Sequence, residues 1–309
     1  MEPDRGDQPD PAADGGLTDT SAAQAAGALT AHRPMLLGLA YRLLGSLHDA
    51  EDVLQEAYLR WLGADRDSVA EPRRYLSRVV TRLAVDRLRA RQAARETYVG
   101  PWLPEPVPTA SFPFGPLDSA ELRDSVSIAL LHLMERLTPP ERAVYVLHTA
   151  FALPYAEIAE ILDRSAAHCR QLYHRAAARI ADDRRRFTAD PAEQRRLLDA
   201  FLAAARDGDL PRLTGLVASD AVAWTDGGGV ARAARNPVRG ADRVARFFVG
   251  IYGRPRRIEA TPAELNGGPA LVIRWSDGAR YTLTVAAAGG RITDFYLVGN
   301  PAKLSRLPG

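Results

Sequence analysis

The sequence predicts a multidomain chain: two all-α modules followed by one α+β module. Three observations carry that expectation. Residues 29–97 and 118–187 place apolar residues at helical spacing without strand signals. A proline-rich stretch, 98–117, separates them. Beyond Asp190-Pro191 comes one helix, Glu193 to Arg206, and then alternating strands: "AVAWTD", "ALVIRW", "RYTLTV" and "RITDFYLV". Asp277-Gly278 and Gly289-Gly290 supply hairpin turns between the later strands.

Composition narrows the class. The chain has 309 residues, enough for two or three domains, and is 46% hydrophobic and 25% charged, which is ordinary for a globular protein. No apolar run reaches the roughly 18 residues of a membrane span, so no membrane partner is expected. Residues 1–28 read as a disordered tail, since the first 20 carry six acids against one Arg. The single Cys169 excludes an internal disulfide, and six scattered His lack zinc-ligand spacing. A cytoplasmic protein without metal or cofactor is expected.

Net charge is +2, yet 39 of the 40 basic residues are Arg, and Lys303 is the one Lys. The arginines cluster. Arg73 to Arg95 holds eight Arg and one acid, and Arg164 to Arg186 holds seven Arg and two acids. Two separate basic blocks suggest two contacts with a polyanion.

In "GSLHDAEDVLQEAYLRW", Leu47, Val53, Leu54, Ala57, Tyr58 and Trp61 share one helix face. Asp49, Asp52 and Glu56 form a stripe on another, bordered by Gln55. That stripe is either a solvated face or a docking surface for a basic partner. Downstream, Arg78, Arg82 and Arg89 fall within about 40° of one another, while Val79, Val80, Leu83 and Leu88 point toward a core. Guanidinium groups so aligned suit phosphate oxygens, or solubilise the helix.

The second block opens at Thr138, a candidate N-cap, with Pro139 at the first helical position and Glu141 at capping-box spacing. "LPYAEIAEIL" is a short helix, "DRS" a tight turn, and Ser165 an N-cap for the next helix. There Cys169, Leu172, Tyr173, Ala176 and Ile180 line up inward. Arg170, Gln171 and His174 face the other way, flanked by His168 and Arg175. Short helix, turn and exposed Arg/Gln/His face make a helix-turn-helix, a shape that reads base edges in the major groove but also occurs away from DNA.

On these residues the chain resembles the extracytoplasmic-function group of sigma-70 factors. "DAEDVLQEAYLRW" is similar to the family's domain two, which grips the clamp helices of RNA polymerase. The resemblance implies polymerase contacts at Asp49, Asp52, Gln55 and Glu56, with core RNA polymerase (beta-prime clamp helices and beta flap) and promoter DNA as partners. It places the segment Asp65 to Glu71 at a flipped base of the minus-ten element, beside Arg78, Arg82 and Arg89. "PYAEIAEILDRSAAHCRQLYHRA" resembles domain four, which implies minus-thirty-five contacts at Arg164, Ser165, His168, Arg170, Gln171, His174 and Arg175.

The resemblance extends to a minority subgroup with a C-terminal extension similar to SnoaL-like polyketide cyclases. Its marks are a W-L-P-E-P strap, a D-G-G-G turn and an N-P-x-K-L tail. They stand here as Trp102 to Pro106, Asp226 to Gly229 and Asn300 to Leu304. This implies a cone-shaped SnoaL-like domain over 191–305, acting on the sigma factor in cis. The implied interdomain residues are Trp102, Pro104, Asp226, Gly227, Gly228, Asn300, Pro301, Lys303 and Leu304.

Trp224, Phe247, Phe248, Trp275, Tyr281 and Tyr296 either line a pocket for a small hydrophobic ligand or form the core. Asp226 reads as a turn residue before three glycines, and Asp294 sits in phase with Ile292, Tyr296 and Val298. No catalytic residue is expected. Two rivals stay open: a DNA-binding regulator working without polymerase, and a DNA-binding portion fused to a SnoaL-like enzyme or small-ligand sensor. The strap, stiffened by proline, reads as an extended connector that holds the two DNA-reading modules apart, with Trp102 anchoring the C-terminal module.

Overall fold

The computed structural model describes residues 15–65, 68–94, 98–111, 119–252 and 258–307. The first module is three helices: α1 (Gly15–Leu44), α2 (Leu47–Leu62) and α3 (Pro72–Ala94). Helix α1 takes in residues 15–28, expected as disordered tail. Ala22, Ala23, Ala25, Ala26 and Ala28 give that stretch high helix propensity despite its polarity. The rest of the expected tail, 1–14, lies outside the described residues, as do two residues of the 65–71 loop and the end of the strap.

Ser46 caps α2 by accepting from the Asp49 amide at 3.2 Å. The second module is α4 (Ala120–Asp124), α5 (Ile128–Met134), α6 (Pro139–Thr149), α7 (Tyr155–Leu162) and α8 (Ala166–Arg184). The capping box forms: Glu141 Oε2 accepts from the Thr138 amide at 3.0 Å. Asp163, at φ 54°, makes the left-handed turn between α7 and α8, and Ser165 caps α8.

The two modules are not held apart. One continuous hydrophobic core runs from Leu36 in α1 through Val80 in α3 to Leu147, Ile158 and Leu172 in the second module. Arg82 of α3 donates to the Ile161 carbonyl of α7 at 2.8 Å, and Arg74 pairs with Glu160 at 2.5 Å. The spacer expectation fails because proline fixes φ without deciding burial. Leu103, Pro104, Glu105, Pro106 and Val107 are all buried, so the strap is packed chain rather than a free rod.

The C-terminal module begins with α9 (Pro191–Asp207) and α10 (Leu210–Leu216). Strands β1 (Val217–Asp226) and β2 (Val238–Arg239), helix α11 (Ala241–Tyr252), and strands β3 (Ile258–Leu265), β4 (Gly268–Trp275), β5 (Arg280–Ala288) and β6 (Arg291–Val298) follow, then α12 (Pro301–Leu304). The sheet order is β2-β1-β6-β5-β4-β3, with β1 and β6 parallel and the other pairs antiparallel. One face packs on α9, α10 and α11 around Phe201, Phe248 and Phe295. The other packs on the helical modules through Leu103, Ile128 and Tyr296. Strand β3 and helices α10 and α11 escaped the sequence reading.

A bulge at Thr293 takes Ile292 out of phase with Asp294, which stays in phase with Tyr296 and Val298. Ile292 pairs with Ala287 but Asp294 with Ala286, so one extra residue puts Ile292 in the cone and Asp294 on the outer face. The Asn266-Gly267 turn joins β3 to β4 with both residues at positive φ, 54° and 75°. Asn266 does more than turn the chain. Its Nδ2 donates to Tyr41 Oη at 2.5 Å and to the Val126 carbonyl at 2.8 Å, while its Oδ1 accepts from the Val107 amide at 2.9 Å. One side chain thus ties α1, the strap and the second module together.

Asn266→Ala removes those bonds and forces a Cβ residue without a polar side chain into the left-handed region. Urea unfolding of the whole chain is expected to show a loss of about 2–4 kcal/mol. A loss below about 0.5 kcal/mol would contradict the tie.

Candidate functional site

The strap, the D-G-G-G turn and the N-P-A-K-L tail meet at one buried carboxylate. Asp226 is fully buried at the end of β1. Its Oδ1 accepts from Tyr98 Oη at 2.6 Å and from the Gly228 amide at 3.0 Å. Its Oδ2 accepts from the Leu103 amide at 2.9 Å and from Lys303 Nζ at 2.7 Å. The turn reading of Asp226 therefore covers only the Gly228 bond, and the other three partners come from the strap and the tail.

Lys303 is buried and donates to the Leu103 carbonyl at 2.5 Å as well as to Asp226. Its ammonium lies 4.0 Å from the centre of the Trp102 ring, and the Arg91 guanidinium of α3 lies 4.2 Å from the same centre. Trp102 is half-buried, held by cations from the first module and from the tail. Burial pulls the Lys303 pKa below its ordinary value, and the Asp226 charge opposes the shift. Arg91 continues inward, donating to the Leu44 carbonyl at 2.8 Å and to Glu135 at 3.0 Å. Glu135 also pairs with the buried Arg142.

Glycine is needed at two points here. A Cβ on Gly228, at φ 60°, would sit 2.4 Å from the Asn300 side chain. A Cβ on Gly227 would sit 2.3 Å from the Ala231 carbonyl oxygen. Asn300 caps α12 and donates to Tyr98 Oη at 3.2 Å. Pro301 is exposed at the first position of α12, Pro104 is buried in the strap, and Leu304 is buried beside Leu103 in the outer-face core.

Glu105 of the strap went unassigned in the sequence. Its Oε2 accepts from the Leu47 amide at 2.7 Å and the His48 amide at 3.2 Å, at the N-terminus of α2. Burial raises the Glu105 pKa above its ordinary 4.5, and the two amides offset part of that. At the far end of the tail Arg306 reaches Glu51 of α2 at 3.0 Å. The strap and tail thus both press on the helix that carries Asp49, Asp52, Gln55 and Glu56.

Those four residues lie together on α2. Arg87 pairs with Asp49 at 3.2 Å and Asp52 at 2.5 Å, Glu56 pairs with Arg60 at 2.8 Å, and Gln55 is exposed. Leu59 stands one turn further on the same stripe with 61% of its surface exposed, an apolar tip on an acidic face. On α3, Arg78 is exposed and Arg89 pairs with Asp86 at 2.9 Å, while Arg82 is engaged by α7. On the helix-turn-helix, Arg164, Ser165, Arg170, Gln171, His174 and Arg175 are exposed and His168 is half-buried. Cys169, Leu172, Ala176 and Ile180 anchor α8 inward, so its Arg/Gln/His face is open to solvent.

The cone holds a cavity of about 620 Å³ lined by Phe247, Phe248, Ile251, Ile273, Trp275 and Tyr281. Trp224 and Tyr296, read as lining a pocket or forming the core, lie on the other face of the sheet, in its core and outside the cavity. Their rings pack 4.6 Å and 5.5 Å from His132 of α5, and Trp224 Nε1 donates to Asp294 at 3.1 Å. The cause is strand alternation: Ala223 and Phe295 face the cone, so their neighbours Trp224, Asp294 and Tyr296 face out. Arg186, just past α8, donates to Asp294 at 3.1 Å and bridges to Asp220. Among the described residues no helix is long and apolar enough to cross a membrane.

Comparison with known proteins gives a consistent result. The family description Sigma-70 region 2 matches residues 28–94, and Sigma-70, region 4 matches residues 127–180. The chain is 40% identical over 223 residues to the ECF RNA polymerase sigma factor SigJ of Mycobacterium tuberculosis (strain ATCC 25618 / H37Rv), covering 72% of this chain and 71% of the relative. It is 32% identical over 281 residues to a probable ECF RNA polymerase sigma factor SigI of the same strain, covering 90% and 93%. The crystal structure of the M. tuberculosis extracytoplasmic function sigma factor SigJ superposes with a TM-score of 0.68 at 32% identity, covering 89% of this chain and 96% of that one.

Asp226→Asn leaves a buried ammonium without its counter-charge, so urea unfolding should show a loss of about 3 kcal/mol. Adding Lys303→Met removes the stranded charge, and the double variant should lose clearly less than the two single losses combined. Additive losses would mean that the pair is not coupled.

Glu105 gives a pH signature. Its folded form holds the proton more tightly than the unfolded chain does, so its contribution is complete below pH 4.5 and lost as pH rises through the raised value. The stability advantage of the wild type over Glu105→Gln should therefore grow between pH 7 and pH 5. An advantage that shrinks on acidification contradicts the assignment.

Proposed function

Because the chain belongs to the extracytoplasmic-function family of sigma-70 factors, we propose that it rests in a closed form, which its C-terminal domain holds shut through the strap. As a sigma factor the protein binds core RNA polymerase and directs transcription initiation at specific promoters. It is not an enzyme. The proposal concerns how that activity is gated, and it assumes action in the cytoplasm, where polymerase works.

The observation that carries it is the contact between α3 and α7. Minus-ten and minus-thirty-five elements lie about 25 base pairs apart, which at about 3.4 Å per base pair is roughly 80 Å. Arg82 of α3 touches the Ile161 carbonyl of α7 at 2.8 Å. Modules packed this closely cannot serve both elements at once, so promoter binding requires them to part. The strap between them is fastened to the C-terminal domain at Leu103 by Asp226, at Val107 by Asn266 and at Pro108 by a bridge to Leu265. Parting the modules therefore works against these fastenings.

In the open form Asp49, Asp52, Gln55 and Glu56, with Leu59, dock on the clamp helices. Arg78, Arg82 and Arg89 take minus-ten phosphates. Arg164, Ser165, His168, Arg170, Gln171, His174 and Arg175 read the minus-thirty-five element, and the module that carries them meets the beta flap. Trp102, Pro104, Asp226, Gly227, Gly228, Asn300, Pro301, Lys303 and Leu304 form the clasp. A second reading rests on the cone cavity: the domain also takes a small, largely apolar ligand.

Run-off transcription with purified core polymerase tests the gate. Full-length Asp226→Asn and a chain ending at residue 190 should each raise promoter output several-fold over wild type. Equal output from all three would remove the regulatory reading. Separately, charge reversal of Asp52 and Glu56 should weaken capture of core polymerase at least tenfold without moving the melting temperature. Unchanged capture would return that stripe to a solvated face.

A further inference from the structure

The cone cavity and the clasp share a wall. Residues 230–234, which line the cavity, continue directly from the D-G-G-G turn. The turn is closed on itself: the Val230 and Ala231 amides donate to the Gly227 carbonyl at 3.1 Å and 2.9 Å. Thr225 Oγ1 donates to the Ala234 carbonyl at 3.0 Å, at the other end of the wall.

Tyr281 joins cavity and clasp by two further routes. Its ring lines the cavity, and its hydroxyl donates to the Arg232 carbonyl in the wall at 3.1 Å. The edge of the same ring lies against Gly299, where an added Cβ would sit 2.2 Å from it. The Gly299 and Asn300 amides both donate to the Asp226 carbonyl, at 2.7 Å and 3.1 Å, and Lys303 follows one turn later. The wall, the ring and the tail thus form one packed unit with the buried carboxylate.

We propose that an apolar, ring-bearing small molecule bound in the cone cavity holds the clasp closed, with Tyr281 as the positioning residue that couples the two. The direction follows from the geometry. The cavity of about 620 Å³ is already formed while Asp226, Lys303 and the strap are engaged. Its wall is joined to that clasp by the Gly228 amide on Asp226 Oδ1, and the strap lies against it, where a Cβ on Gly100 would sit 3.7 Å from the Ala234 carbonyl oxygen, so opening the clasp loosens the wall. A ligand that needs the formed wall binds the closed state better and shifts the population toward it. Aromatic lining from Phe247, Phe248, Trp275 and Tyr281 suits a planar ring system. Arg232, exposed at the mouth, suits an acidic group at the outer edge of the molecule. The coupling stands on these contacts, and only its consequence for transcription rests on the closed-form reading above.

The chain carries its own reporter, since Lys303 is its one Lys. Acetylation of its amine by a short pulse of an acetyl N-hydroxysuccinimide ester, followed by mass spectrometry of the full-length protein's peptides, measures how often the clasp opens. The probe is 1-anilinonaphthalene-8-sulfonate, a planar anion. Saturating probe should slow Lys303 acetylation at least threefold. Lys303→Gln should in turn weaken probe binding, because coupling is reciprocal. Ile251→Trp, or Ala279→Leu if the first does not fold, should abolish both effects by filling the cavity. Tyr281→Phe, which keeps the ring and removes the hydroxyl bond to the Arg232 carbonyl, should reduce the protection of Lys303 when compared at probe saturation.

Failure of the probe to bind the folded wild type would overturn the proposal. So would binding that survives both filling variants, or an acetylation rate unchanged at saturation. An unchanged rate alongside a transcriptional effect of Asp226→Asn sinks the coupling alone, whereas normal coupling with no transcriptional effect sinks the gate alone.

Discussion

The Asp226 carboxylate in the interior is the constraint around which the two halves of the molecule are arranged. A buried ionised group is tolerable only when its lone pairs are met, and this one has donors from Tyr98, Leu103, Gly228 and Lys303. Two of those donors come from the strap and one from the tail, so the carboxylate is satisfied only when all three segments are in place. The composition bears on the same point. A chain that uses Arg 39 times has Lys here. Lys presents three donors on a narrow head, and three recipients surround it: Asp226, the Leu103 carbonyl and the Trp102 ring face. A guanidinium would bring five donors and a wide plane into the same space.

An ion pair of this kind contributes little net stability compared with an apolar substitute of equal volume, because desolvation offsets the attraction. What it supplies is discrimination. Half-open arrangements leave a charge in an apolar site and are penalised, while fully closed and fully open ones satisfy it with protein or with water. That sharpens the transition between two states. The fastenings around it share the property: Asn266 to Tyr41, Glu105 to the α2 amides and Arg306 to Glu51 are polar contacts that water can replace. The interface is thus better suited to parting than a purely apolar one would be.

The helical half was largely legible in the sequence, because caps and period-3.6 patterns are local: Thr138 with Glu141, and Ser165 after the "DRS" turn, stand where spacing put them. The clasp segments were legible as motifs, and the chemistry joining them was not. Tyr98 and Asn266 act across more than 100 positions of sequence in several of their contacts and Arg91 across more than 40, where no local signal reports a partner. Asn266-Gly267 did carry a hairpin signal between two strand-like runs, and reading it would have found β3 and its turn. Trp224 and Tyr296 stayed open between pocket and core, and they join the core on the outer face of the sheet. Here the outer face is also buried, against α5, so aromatic character does not tell the faces apart. The single extra residue at Thr293 then set Ile292 on the opposite face from Asp294, Tyr296 and Val298, and a bulge leaves no mark in alternation alone.

On the gating proposed above, the contact between α3 and α7 gives closure and DNA binding a way to oppose each other without steric overlap. Arg82 gives its Nε proton to the Ile161 carbonyl, one of the last carbonyls of α7, which carry the negative end of the helix dipole. Arg74 meets the carboxylates of Glu157 and Glu160 on the same short helix. These acceptors present to α3 what a phosphate backbone would present: oxygen atoms with negative charge at guanidinium reach. A guanidinium cannot satisfy both sets with the same N–H groups, so in the proposed gate α7 and the promoter strand compete for Arg82. In that gate, by linkage, whatever tightens the clasp lowers the affinity of α3 for DNA by the same factor that DNA lowers the stability of the clasp. Salt weakens exposed ion pairs and phosphate contacts alike, so the balance is set mainly by the buried contacts. In the proposed gate the fastening at Asp226, buried and away from α7, decides which of the two occupants α3 holds.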